Sequence, residues 1–145
     1  EAGRKTTRTL SFLLIEEAEA MLEVVDKTAN YTLVSPKEQH TIFTNSGAVG
    51  AVTLTLPVAV RGMRFGPFVV ATAQQLIIDP NGTEVFMRSF MDADATSPVG
   101  SVAVVDTAAG KNISSSTVGT YISVLCIITG KWLITEKIGP WDVEL

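Results

Sequence analysis

Eight short runs of β-branched and aromatic residues, each closed by a turn signal, constrain this chain more than any other feature. The runs are Tyr31–Val34, Thr41–Phe43, Val52–Leu56, Phe68–Val70, Leu76–Ile78, Val102–Val105, Tyr121–Ile128 and Trp132–Ile134. Side chains of this kind suit a pleated, half-buried surface. Between them stand Asn45-Ser46-Gly47, Pro57, Arg61-Gly62, Pro80-Asn81-Gly82, Ala109-Gly110 and Thr129-Gly130, residues that bend or stop a strand. Asn81-Gly82 suits a tight hairpin, because both residues tolerate positive φ. Thr129-Gly130 joins the longest apolar run to Lys131-Trp132-Leu133-Ile134 and predicts a second hairpin. The pattern predicts an all-β domain over residues 28–145, a compact β-sandwich or a barrel-like closure. Period alone does not choose between them. Arg88–Gly100 and Ser114-Ser115-Ser116-Thr117 read as polar loops, and no internal repeat stands out.

Residues 1–27 differ in character. Arg4, Lys5 and Arg8 make a basic start, and Glu16, Glu17, Glu19 and Glu23 follow. At helical spacing Glu16, Glu19 and Glu23 share one face, and Leu14, Ala18, Met21 and Val25 share the opposite one. The spacing predicts a short amphipathic helix over Ile15–Glu23. Thr9-Leu10-Ser11-Phe12 alternates and also suits a strand. Two readings stand for this segment: an arm that docks on a neighbouring subunit, or an ordinary helix on its own domain. The chain opens Glu1-Ala2-Gly3 with no initiator Met and no basic-then-apolar leader, which reads as a processed start or a portion of a longer product.

Composition then limits the function classes. Among 145 residues, 46% are hydrophobic and only 18% charged, and the mean hydropathy is +0.32. No apolar run approaches the ~18–20 residues that span a bilayer, so no membrane is expected. The surplus apolar surface points to a subunit interface. A net charge of -4 argues against nucleic acid, which needs clustered Lys and Arg.

The residue types that carry chemistry are sparse. Cys126 lies inside an apolar run, where a thiol is a small buried hydrophobe. His40, the one histidine, sits in Pro36-Lys37-Glu38-Gln39-His40 with no nucleophile to serve. Asp92-x-Asp94-x-Thr96 resembles a calcium loop only in part: Ser97 and Ala103 occupy the positions that need Gly and Glu. Gly47-Ala48-Val49-Gly50 lacks the residues of a phosphate or dinucleotide loop. The acids of the β region sit in or beside turns, with nothing to force two together. No catalytic residue, cofactor or metal is therefore expected. Three Asn-x-Ser/Thr triplets, at Asn30, Asn81 and Asn112, read as turn chemistry. Trp132 reads as core, whereas Trp141, after Gly139-Pro140, is an interface candidate.

One arrangement is familiar. Tyr31-Thr32-Leu33 is followed by Phe43-Thr44-Asn45-Ser46-Gly47-Ala48 and by Gly50-Ala51-Val52-Thr53-Leu54-Thr55-Leu56-Pro57. Gln75–Gly82, Gly110-Lys111-Asn112-Ile113, Gly119–Leu125 and Gly130-Lys131-Trp132 complete it. This resembles a small β module of tailed-bacteriophage virion structural proteins, found in head decoration, head-fibre and tail-fibre proteins. The resemblance runs over residues 25–141, without the 88–100 stretch and the acidic start. It implies a virion protein without a reaction: a homotrimeric head decoration or head-fibre subunit that binds and stabilises the capsid, with the major capsid protein or another virion structural protein as its partner. The expected interface residues are Arg4, Lys5, Arg8, Leu14, Ala18, Met21, Val25 and Trp141. The alternative is a tail-fibre module that recognises a host surface glycan through 92–100, 114–119 and an exposed Trp141. A polysaccharide-acting enzyme using Asp94 or Asp106 is a third reading.

Overall fold

The computed structural model describes residues 22–87 and 106–144 of the chain. Among the described residues the fold is all-β, without a helix, in two sheets packed face to face as a sandwich. The larger sheet has the order β1 (Glu23–Asp26), β3 (Thr41–Thr44), β5 (Arg64–Val69), β9 (Tyr121–Ile128), β10 (Lys131–Ile138) and β7 (Val85–Met87). The smaller has the order β11 (Asp142–Val143), β8 (Ile113–Ser115), β6 (Leu76–Asp79), β4 (Val52–Thr55) and β2 (Tyr31–Thr32).

From β1 to β7 the chain alternates between sheets, and successive strands of one sheet run parallel. β1 pairs with β3, β3 with β5, β2 with β4 and β4 with β6, all parallel. Parallel neighbours need a crossover, usually a helix. Here the crossover is a strand of the opposite sheet, reached by short loops across a gap of about 10 Å. Asn81-Gly82 is therefore not a hairpin: it carries the chain from β6 in one sheet to β7 in the other. An Asn-Gly bend reverses the chain, but tertiary contacts choose which strand it meets next. The hairpin at Thr129-Gly130 is present as predicted, with β9 antiparallel to β10.

The circuits align like residues in the core. Val25, Phe43 and Phe68 sit in register on neighbouring strands, with the Phe43 and Phe68 rings stacked at 6.0 Å. Val52 aligns with Leu76, and Leu54 with Ile78. These rows, with Phe65, Phe86, Ile122, Val124, Trp132 and Ile134, fill the space between the sheets. The first turn after β3 is tied down by Asn45, whose side chain is fully buried. Its Oδ1 accepts from the Ala71 and Thr72 backbone N–H groups at 2.7 and 3.1 Å, and its Nδ2 donates to Gln74 O at 2.9 Å.

Three expectations change. Ser114 and Ser115 belong to strand β8 and are buried, because their hydroxyls are satisfied by Gln75 Nε2 and Thr120 Oγ1, each at 3.0 Å. The larger sheet takes in Glu23–Asp26, so the tail of the 1–27 segment is part of the β-structure, and Val25 packs against the core. Trp141 is only 6% exposed within its own chain and belongs to the core rather than to an open face. The turn at Gly139-Pro140 folds the chain back onto the second sheet, which carries the indole inward.

Candidate functional site

Six of the described acids, Asp26, Glu38, Glu84, Asp106, Glu136 and Glu144, serve local structure. Glu38 accepts from the Tyr31 hydroxyl at 2.9 Å and the Val34 N–H at 2.7 Å. Asp26 accepts from the Thr44 hydroxyl, and Glu84 Oε2 from the Ala59 N–H at 2.7 Å. Asp106 pairs with Lys131 at 2.7 Å and Glu144 with Lys111 at 3.5 Å, both on the surface. Glu136 accepts from the Ser123 hydroxyl at 3.3 Å. Asp106, weighed as an enzymatic acid, is thus tied to a lysine on the hairpin.

Cys126 is fully buried opposite Trp132, and burial pushes its thiol pKa up, away from nucleophilic use. His40 is exposed in the turn before β3. A shallow hollow of about 190 Å³ lies on the outer face of the larger sheet, lined by Arg64, Leu125, Thr135 and Glu136. Sites for drug-sized ligands hold roughly 300–1,000 Å³. Among the described residues no group of three His, Cys, Asp or Glu is placed to hold a metal ion, and no helix is long and apolar enough to cross a membrane.

Asp79 is the carboxyl whose surroundings disfavour its charge. Burial raises the Asp79 carboxyl above its ordinary range, and the charge of Glu144 adds to this. A carboxyl raised in this way holds its proton more tightly folded than unfolded. Stability is therefore lost as pH rises through the ordinary carboxylate range, and the whole cost is present above the folded pKa. Asp79→Asn should raise Tm at pH 7, and the gain should disappear by about pH 3, below the ordinary Asp value of about 3.9, where the carboxyl is neutral in both states. Thermal melts at the two pH values check this; equal Tm values at pH 7 would contradict it.

The open chemistry of this domain is on its loops. β1, β3, β5, β7 and β10 run one way and β2, β4 and β6 run back. The segments 33–40, 56–63 and 80–84 and the 129–130 hairpin therefore gather at one end. Hydrogen bonds knit them together: Gly62 N to Cys126 O at 2.7 Å, Val85 N to Gly130 O at 3.2 Å, and Arg64 N to Gln39 Oε1 at 3.2 Å. On this end Val34, Val58, Val60, Ile127 and Ile128 are 38–61% exposed. The sequence pattern places Ile127 and Ile128 in a strand, and Val58 and Val60 carry no interface signal of their own. The signal available was Val58-Ala59-Val60, an aliphatic loop where polar turn residues are the norm.

Of the interface residues expected from sequence, Val25 and Trp141 are both drawn against the core. Arg4, Lys5, Arg8, Leu14, Ala18 and Met21 lie outside the described residues, as do residues 15–21 of the predicted helix, the strand at 102–105 and the Asp92–Asp94 loop; the last residue of that predicted helix, Glu23, is extended as the start of β1. The chain enters the described residues at Leu22, ahead of β1, on the aliphatic end. No protein-family model matches this chain, and no curated protein matches it.

Proposed function

We propose that this chain is a structural subunit of a tailed-bacteriophage virion, a homotrimeric head decoration or head-fibre protein that binds the capsid and stabilises it. The resemblance of residues 25–141 to modules of that kind supports the reading. The observation that carries it is the cluster of exposed aliphatic side chains on knitted loops at one end of the sandwich. Exposed apolar patches of this kind mark association surfaces. Bridging capsid subunits with such a surface adds buried interface, and binding to the intact shell stabilises that state over the ruptured one.

Co-sedimentation of the purified chain with undecorated capsids tests this. Saturable binding is expected. Val60→Asp and Ile128→Asp should each weaken it by about tenfold or more, since each buries a charge in the contact, while the melting curve stays unchanged. Removing residues 1–21, which spares β1, should also weaken binding if the basic start reaches the shell. Intact particles that lose host adsorption on loop substitution would favour a tail-fibre module instead, although Trp141 is buried and supplies no open aromatic for a glycan.

A further inference from the structure

Among the described residues, one edge of the larger sheet is open and the other is closed. Beside β7, Thr107 N donates to Phe86 O and Phe86 N to Thr107 Oγ1, both at 2.9 Å, and Gly110 N donates to Glu84 O at 3.0 Å. Those bonds occupy the backbone groups a neighbouring strand would need. At the β1 edge, among the described residues, no strand lies outside β1, and Val24 is 60% exposed.

The direction of each β1 backbone group follows from one bond. Lys27 N donates to Thr44 O at 2.8 Å, and Val25 is in register with Phe43. Alternate residues of a strand point their N–H and C=O to opposite sides. Glu23, Val25 and Lys27 therefore face β3, and Val24 and Asp26 present their groups outward. With the β7 edge closed, strand pairing that continues the larger sheet from one copy into a second sets β1 against β1. Two identical strands related by a two-fold run antiparallel, because a parallel ladder bonds unequal residues.

Outward residues must meet outward residues, which leaves three registers across Val24 and Asp26. Asp26 against Asp26 places two carboxylates face to face. Val24 against Val24 leaves Glu23 across from Val25 and Asp26 across from Leu22. Val24 against Asp26 puts Val25 on the axis and Glu23 opposite Lys27, at a non-hydrogen-bonded position where side chains approach closest. Symmetry makes that pair twice. Lys27 is already held at this edge, with its Nζ 3.4 Å from the centroid of the Tyr31 ring.

We infer that a second copy of this chain pairs with β1 in that register, so that one continuous sheet runs through both copies. The contact goes beyond the proposed capsid role. A closed three-fold cannot be built from this edge, so the pairing joins two single chains or two trimers.

Light scattering over a dilution series reads it, using wild type, Glu23→Lys, Lys27→Glu, the double swap and Val24→Pro. Each single swap should weaken the two-fold association by about tenfold, because two opposite-charge pairs become like-charge pairs. The double swap should restore it, which also shows that the substituted edge still folds. Val24→Pro removes an outward N–H and leaves the bonds to β3 intact, so it should halve the mass. Single swaps with unchanged mass, a double swap that does not recover, or a wild-type mass that Val24→Pro leaves as it was would each overturn the inference. The mass left after Val24→Pro reports separately on the trimer: one chain of 15.5 kDa, or three times that.

Discussion

Replacing Trp132 by alanine should lower the unfolding free energy by about 3–5 kcal/mol, the range for a large aromatic removed from a packed core. The indole is fully buried on β10, opposite Cys126 of β9 and beside Phe86 of β7. It meets Phe65 edge-on, with ring centroids 5.9 Å apart and planes at 62°. It therefore ties the terminal hairpin to the parallel circuits, and the cavity left behind would open where those two parts meet. Its Nε1 is buried without a hydrogen-bond partner. Trp132→Phe should consequently cost much less than Trp132→Ala, because it deletes an unpaired N–H together with part of the ring. Urea denaturation of both variants, with the slope unchanged, measures the difference. A loss below about 1 kcal/mol for the alanine variant would mean the neighbours collapse to fill the space.

Gly66→Ala should be nearly as damaging, at about 2–4 kcal/mol, for a different reason. Gly66 sits at the irregularity between β5 and β9, with φ at 111°, where an L side chain is strained. A Cβ there would lie 2.9 Å from Ser123 Cα and 3.0 Å from Ile122 O, both backbone atoms of β9. Rotating a side chain cannot relieve that contact, so the two strands must part. Gly62 is the control: its φ is 96°, yet nothing lies within 4 Å of its Cβ position. Gly62→Ala should show the strain alone, about 1–2 kcal/mol. Equal losses at the two glycines would show that β9 yields and that the close approach carries no cost.

The order of these effects reflects what local sequence can and cannot encode. Val, Ile, Thr and Phe runs bounded by Gly, Asn and Pro specify extended chain and bends, because both follow from the φ/ψ freedom of single residues. β9 appears over Tyr121–Ile128, as read, and the Thr129-Gly130 hairpin joins it to β10. Cys126 could be read as inert from its apolar neighbours alone. Strands β1, β8 and β11 carry too few apolar residues in a row to announce themselves, whereas β7, Val85-Phe86-Met87, is as apolar as the runs that predict strands and is simply missing from them. Ser114 and Ser115 became strand only because Gln75 and Thr120, distant or across a turn, satisfy their hydroxyls.

The candidate surface was less legible than the fold. Val58, Val60, Ile127 and Ile128 lie far apart in the chain and share one end only because β5 and β9 are bonded neighbours. Trp141 could be judged open or buried only once the last turn was seen to return the chain to the core.

By itself the sequence determined an all-β chain, where it bends, which side chains are apolar enough to seek a core, and that the thiol lies among apolar neighbours. The tertiary structure alone decided that the chain winds in parallel circuits through two sheets, that the fold is a sandwich, and that among the described residues one edge of the larger sheet is capped while the other is open. The physical reason is range. Bends and strand preference are properties of a few adjacent residues, whereas pairing partner, register and edge exposure depend on which distant strands offer matching backbone groups and interlocking side chains.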